Sequence, residues 1–241
     1  MALGEVEAAI RPVGDDHLPL TQLICVENTH NRCGGRVLSV QYMDDISALA
    51  KKHGLKLHVD GARLMNAAVQ LGVPPARLVQ GADSVSLCLS KGLSAPVGSL
   101  IAGSTEFIRR ARRLRKALGG GMRQAGVLAA AGMLAVTEQA PLLAVDHRRL
   151  QSLVRELSSL RGLITPPIES VETNIAYVRL DPTLLDCNAA TLVSELRAQG
   201  LLITASDVMT VRFVSHCQVD DEAIKNAVNI VKDVVAKHVK Q

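Results

Sequence analysis

Residues 55–60 read Leu-Lys-Leu-His-Val-Asp, and residues 84–91 read Ser-Val-Ser-Leu-Cys-Leu-Ser-Lys. Each stretch is short and largely apolar, as expected of a buried strand, and each ends in a charged side chain, Asp60 or Lys91. A helical pattern separates them, so the order of elements predicts a parallel α/β sheet. Ligands bind where the strands of such a sheet end. The sequence therefore predicts a carboxylate and an amine at a ligand-binding edge.

This combination fits the needs of pyridoxal 5'-phosphate (PLP). The cofactor aldehyde condenses with a lysine, and its pyridine nitrogen requires a carboxylate partner. Burial at a strand end would disfavour the charged form of the Lys91 amine and make it more nucleophilic. Spacing alone leaves two other interpretations open: Lys91 as a lysine that caps a strand, and Asp60 as the N-cap of a helix that begins at Gly61.

The remaining chain predicts a second, smaller domain. Helical spacing dominates after about residue 104, and the composition changes at Thr165-Pro166-Pro167. Short strands and helices follow, and the last helix has Asp220 as a capping residue and one apolar face. We therefore expect a large domain over residues 1–144 and an α+β domain over residues 145–241.

Composition excludes several classes of protein. Hydrophobic residues make up 48% of the 241 residues, which excludes a disordered chain. The five cysteines form no Cys-x-x-Cys pair, which indicates a reduced, cytoplasmic protein. The spacings of His30 with Cys33 and of His216 with Cys217 fit no zinc pattern, so we expect no structural zinc site. No uninterrupted apolar stretch approaches the length of a membrane span, so we expect no membrane partner.

Residues 109–116 carry six cations in eight positions, a density that can bind nucleic acid. An apolar stripe at helical spacing runs through them, however, and aromatic residues do not interleave with the cations. We therefore interpret the segment as the solvated or subunit-facing side of a helix and expect no nucleic-acid partner.

Four motifs in order resemble those of the threonine aldolases, and the similarity covers nearly the whole chain. They are Glu-Asn-Thr-His-Asn at 27–31, His-Val-Asp-Gly-Ala-Arg at 58–63, Ser-Lys-Gly-Leu at 90–93 with Ala-Pro-Val-Gly-Ser at 95–99, and Gly-Gly-Gly-Met-Arg-Gln at 119–124. The resemblance implies the aspartate aminotransferase-like fold of fold type I PLP enzymes. It also implies PLP, cleavage of L-threonine or L-allo-threonine to glycine and acetaldehyde, and usually a homotetramer.

By the same resemblance, Lys91 is the lysine that forms the Schiff base and Asp60 the carboxylate that pairs with the pyridine nitrogen. Arg123, after three glycines, serves the cofactor phosphate. Arg63 and Arg212 bind the substrate carboxylate, a task that suits the bidentate guanidinium group.

A general base must also remove the proton of the substrate's β-hydroxyl group. His17 is our candidate and His30 a weaker one, because a histidine can accept a proton near neutral pH.

The sequence departs from the family pattern in ways that leave an alternative open. Family members begin well before the position of Met1, and we expect the phosphate-binding Gly/Ser-Thr segment and the histidine that stacks on the cofactor to be missing. Such a truncated relative would be impaired, and would act only by binding other subunits or be inactive. Met65 and Ser94 also replace an aromatic residue and a glycine that are frequent in relatives.

Overall fold

The structure, a computed structural model, describes residues 1–14 and 16–240. It divides into two compact units. The first unit comprises residues 1–29 and 38–140, and the second comprises residues 30–37 and 141–241. The segment 30–37 thus belongs to the second unit, whereas the predicted division at residue 144 places it in the large domain. The division into domains at residue 144 stays a prediction.

The first unit alternates strands with helices. Its strands are β1 (Leu23–Glu27), β2 (Lys56–Asp60), β3 (Ser84–Cys88) and β4 (Ser99–Gly103). Its α-helices are α1 (Leu3–Ala8), α2 (Val40–Lys52), α3 (Leu64–Leu71), α4 (Pro75–Leu78), α5 (Thr105–Ala117) and α6 (Gly126–Leu134).

The sheet of the first unit has the strand order β1-β2-β3-β4. β1, β2 and β3 are parallel, and β4 pairs antiparallel with β3 at one edge. The register aligns Glu27 with Asp60 and Asp60 with Ser86. The expected α/β fold with a mainly parallel sheet is confirmed, and the carboxyl ends of β1, β2 and β3 meet at a common edge.

Alternation of side chains explains the core of this unit. Ile24 and Val26 of β1 and Leu57 and Val59 of β2 point inward and pack against α2, whose Ile46 is fully buried. In contrast, all five residues of β4 are exposed, and α5 buries none of its side chains. The β4 edge of the sheet therefore leaves apolar side chains exposed, among them Leu100 and Ile101.

Contrary to the expectation from the sequence, the helical run 126–157 is long and apolar enough to cross a membrane by length and composition alone. A π-helical turn at Ala135–Gln139 and Pro141 interrupt the run. Its second half, α7 (Leu143–Leu157), buries Leu150 and Val154 in the core of the second unit. That half is a core helix of a folded unit.

The second unit is an α+β structure. An antiparallel sheet in the order β5-β6-β8-β7 packs with α7, α8 (Ala189–Ala198) and α9 (Asp221–His238). Its strands are β5 (Leu163–Ile164), β6 (Ile175–Leu180), β7 (Thr204–Ala205) and β8 (Thr210–Val214). Asp220 caps α9 by accepting a hydrogen bond from the backbone N–H of Ala223, as the sequence indicated.

Candidate active site

Asp60 ends β2 at the edge where the parallel strands terminate. Its side chain is not the N-cap of a helix, because α3 begins only at Leu64. Instead its Oδ1 accepts a hydrogen bond of 3.0 Å from the backbone N–H of Ala62, two residues on. The capping interpretation is therefore wrong, and the exposed carboxylate keeps acceptor capacity for a ligand.

Lys91 follows β3, the neighbouring parallel strand, by three residues. It opens a tight turn in which the backbone N–H of Ser94 donates to the carbonyl of Lys91 at 2.9 Å. Buried Leu89 and Leu93 anchor this turn, while Lys91 itself is exposed. The expected burial of the amine is not observed. Within the described residues, the Lys91 ammonium group has neither an ion-pair nor a hydrogen-bond partner.

Ser94 has a φ of +62°, in the left-handed region that glycine adopts without strain. This conformation gives a physical reason for the glycine that relatives often carry there. The serine side chain makes a local contact, with its hydroxyl donating to the carbonyl of Gly92 at 3.3 Å. The turn that presents Lys91 therefore forms despite the departure from the family pattern.

Arg63 precedes α3 and lies at the same edge. Its Nη1 is 3.9 Å from Oε1 of Glu27, which ends β1, and its side chain is only 15% exposed. Sequence reasoning did not identify Glu27 as this partner. A signal was available in the sequence, since Glu27 and Asp60 each end a short apolar stretch. The register then places these two residues opposite each other on neighbouring strands. A carboxylate ligand of Arg63 would compete with Glu27.

Arg123 lies in the turn that leads into α6 and is exposed. The glycines before it pack on the end of α5: a Cβ on Gly121 would fall 2.5 Å from the Lys116 side chain. The loop thus brings the Lys116 stem and the turn that bears Arg123 close together, and both are cationic. His17 lies in an exposed turn of the first unit, and Asp15, two residues before it, is outside the described residues.

Arg212 lies in the second unit, on β8. Its Nη1 donates a hydrogen bond of 3.0 Å to Oδ1 of Asn31. Its Nε is buried and has no hydrogen-bond partner in the described part of the chain. A buried N–H without an acceptor is costly, and a carboxylate is the acceptor that a guanidinium group favours. This orphaned donor fits an anionic ligand, and Asn31 is a contact that sequence reasoning missed.

The donor set fits PLP. The exposed Asp60 carboxylate lies at the end of one parallel strand, and the unpaired Lys91 amine follows the neighbouring one. The ring nitrogen of PLP requires such a carboxylate, and its aldehyde requires such an amine. In the described residues, no cluster of three or more His, Cys, Asp or Glu side chains could hold a metal ion.

Comparison with known proteins agrees with the motifs. The family model for beta-eliminating lyases matches residues 1–181. The chain is 48% identical over 221 residues to the low-specificity L-threonine aldolase 1 of Arabidopsis thaliana, covering 91% of this chain and 61% of the relative. It is 38% identical over 224 residues to the low specificity L-threonine aldolase of Escherichia coli K12, and the match covers 93% of this chain and 63% of the relative. The chain thus spans somewhat under two thirds of the length of these relatives.

Solved structures show the same fold. The threonine aldolase of Leishmania major superposes with a TM-score of 0.76 at 21% identity, over 98% of this chain and 67% of that one. A PLP-dependent aminotransferase from Streptococcus suis superposes with a TM-score of 0.71 at 17% identity, over 100% of this chain and 62% of that one. The resemblance to threonine aldolases is confirmed, and the chain belongs to the beta-eliminating lyase family.

Proposed function

We propose that this chain is a PLP-dependent aldolase that cleaves L-threonine or L-allo-threonine to glycine and acetaldehyde. The observation that carries the proposal is the edge of the first unit, where Asp60 and the unpaired Lys91 follow adjacent parallel strands. Relatives named low-specificity L-threonine aldolases, which match more than 90% of this chain, support the substrate class.

Each residue has a role that follows from its chemistry. When bound, PLP supplies an electron-withdrawing ring that stabilises negative charge at the substrate α-carbon. Lys91 would hold the cofactor covalently through its amine, and the Asp60 carboxylate would pair with the ring nitrogen, because a nearby negative charge favours the charged form of that nitrogen. Arg123 would provide a positive charge for the phosphate group.

Other residues act on the substrate. Arg63 and Arg212 bind and orient its carboxylate, and the buried, unpaired Nε of Arg212 supports this assignment. Its carbon–carbon bond breaks when a base removes the proton from the β-hydroxyl oxygen, and we propose His17 for that step. A cytoplasmic location is part of the proposal and is supported by five free cysteines.

Arg212→Ala should lower kcat/KM for L-threonine by about 100-fold, because loss of a charged, partly buried hydrogen-bonding group costs several kcal/mol. The test is the rate of glycine and acetaldehyde formation by the purified chain with PLP. Arg179→Ala, on the neighbouring strand β6 and exposed, is the matched control and should stay within about 2-fold of wild type. Equal losses in both variants would argue against a specific role for Arg212.

We further propose that the chain forms a homo-oligomer, a tetramer by resemblance. Exposed apolar side chains on β4 and α5 support this, because contiguous exposed apolar surface marks contacts with other chains. Leu100, Ile101 and Leu114 are 50%, 47% and 59% exposed. Light scattering coupled to size-exclusion chromatography should give a mass near four times 25.7 kDa. A stable monomer at micromolar concentration would contradict the assembly.

A further inference from the structure

We propose that Asn31 is a positioning residue, which holds the Arg212 guanidinium group in the orientation that binds a substrate carboxylate. The inference rests on the function proposed above and deepens it, because it names the residue on which one of the carboxylate ligands depends. Asn31 and Arg212 are 181 positions apart in the sequence, yet both belong to the second unit.

The acceptor in this contact is an uncharged amide oxygen. Oδ1 of Asn31 accepts from Nη1 of Arg212 at 3.0 Å. The hydroxyl of Tyr177, which stands opposite Arg212 in the register of β6 and β8, lies 3.5 Å from the same Oδ1. An amide oxygen fixes the plane of the guanidinium group without neutralising its charge. The full positive charge therefore remains for an anionic ligand.

The rest of the guanidinium group is prepared for such a ligand. Nε is buried and has no acceptor within the described residues. The guanidinium group of Arg212 thus has one donor, Nη1, fixed by Asn31, and a second donor, Nε, held out of water without an acceptor. A group held in this way forgoes solvation in the free protein and recovers a hydrogen bond when an acceptor arrives.

The segment that carries Asn31 is itself held firmly. The carboxylate of Glu172 accepts from the backbone N–H of Val37 at 2.6 Å and pairs with Nε of Arg36 at 3.2 Å. The hydroxyl of buried Thr173 donates to the carbonyl of Gly35 at 2.7 Å. Gly35 has a φ of +68°, and a Cβ there would collide with the Thr173 hydroxyl. These contacts fix residues 30–37 and so keep the Asn31 amide in place.

Two substitutions at Asn31 separate positioning from simple stability. Asn31→Ala removes the acceptor and frees the guanidinium group, so KM for L-threonine should rise by about 10-fold with kcat within about 3-fold. Asn31→Asp keeps the size but places a competing carboxylate on Arg212, so KM should rise further, by about 100-fold. A merely structural role predicts the opposite order, since aspartate is the smaller perturbation. Asn226→Ala, an exposed asparagine on α9, is the control and should match wild type.

A second measurement does not depend on turnover. In the ¹⁵N-arginine-labelled chain, the side-chain Nε–H resonance of Arg212, assigned by its loss in Arg212→Lys, should be sharp in wild type. It should broaden or vanish in Asn31→Ala, because the guanidinium group is no longer held.

The outcomes distinguish this inference from the proposed function. An Arg212 resonance that is unchanged in Asn31→Ala would overturn the positioning role, whether or not the chain is active. If the Arg212 resonance changes in Asn31→Ala but the wild-type chain forms no glycine, the positioning role of Asn31 would stand and the aldolase proposal would be refuted. In an active chain, an Asn31→Asp variant with a lower KM than Asn31→Ala would also overturn it.

Discussion

Lys91→Ala should reduce glycine formation from L-threonine by at least about 1,000-fold in the PLP-supplemented chain, with the fold unchanged. The reason is chemical: alanine offers no amine for covalent attachment of the cofactor aldehyde. Structurally the substitution is mild, because the Lys91 side chain is exposed and the turn that carries it is anchored by buried Leu89 and Leu93. The measurement is the steady-state rate beside the circular dichroism spectrum.

Three variants sharpen this test. Lys91→Arg keeps a positive charge but is a poor nucleophile, so it should be as inactive as Lys91→Ala. Lys237→Ala, an exposed lysine in the last turn of α9, should keep wild-type activity. Added methylamine should restore a small part of the activity to Lys91→Ala, because a free amine can replace the missing one. Activity that survives in Lys91→Ala without added amine would refute the aldolase assignment.

The second large effect is an acid-induced loss of stability at His147. This side chain lies on α7 in the second unit and is 4% exposed, and burial lowers its pKa to about 4. Because the folded-state pKa is depressed below the unfolded value of about 6.5, the protein is stabilised most above pH 6.5. That contribution, about 3 kcal/mol, should be lost as the pH falls from 6.5 to 4.

Urea unfolding followed by circular dichroism at pH 7.5 and pH 4.5 measures this effect. In His147→Gln the pH-dependent loss of the free energy of unfolding should be smaller than in wild type by about 2–3 kcal/mol. Neighbouring Asp146 is also buried, and burial raises the pKa of its carboxyl group, so it opposes the trend. The comparison of wild type with His147→Gln isolates the histidine, and identical pH profiles would contradict its assignment.

His238 provides a control of opposite sign. Burial opposes its charged form, but hydrogen bonds of 2.9 Å to Asp186 and Glu195 outweigh that effect and raise its pKa. The contribution of His238 to the free energy of unfolding is therefore present below pH 6.5 and is lost as the pH rises through the folded-state pKa of His238. His238→Gln should weaken the protein mainly at acidic pH, whereas His147→Gln should improve its relative stability there.

Much of the fold could be predicted because its strands alternate with helices and end in distinctive residues. Asp60 and Lys91 were placed at the ends of two strands of a parallel sheet from the sequence alone, and the structure adds that those strands are neighbours and parallel. The antiparallel direction of β4 could not be predicted, because the apolar spacing of a strand carries no information about its direction.

Contacts between distant segments were the main omission. Asn31 and Arg212 form a hydrogen bond although they are far apart in sequence. The spacing of residues along a single strand or helix does not predict such a contact. The start of α3 was also misplaced: the turn at 61–63 is held by the Asp60 side chain, which delays the helix to Leu64. The exposure of Lys91 depends on what covers the strand end, and tertiary packing decides that.

The most direct test is the visible absorption spectrum of the purified 241-residue chain after addition of PLP and removal of the excess, compared with Lys91→Ala. We expect an absorption band of bound cofactor in wild type that is absent from Lys91→Ala and that changes when L-threonine is added. A folded wild-type chain without that band, or an identical band in Lys91→Ala, would contradict the assignment of Lys91 and the cofactor.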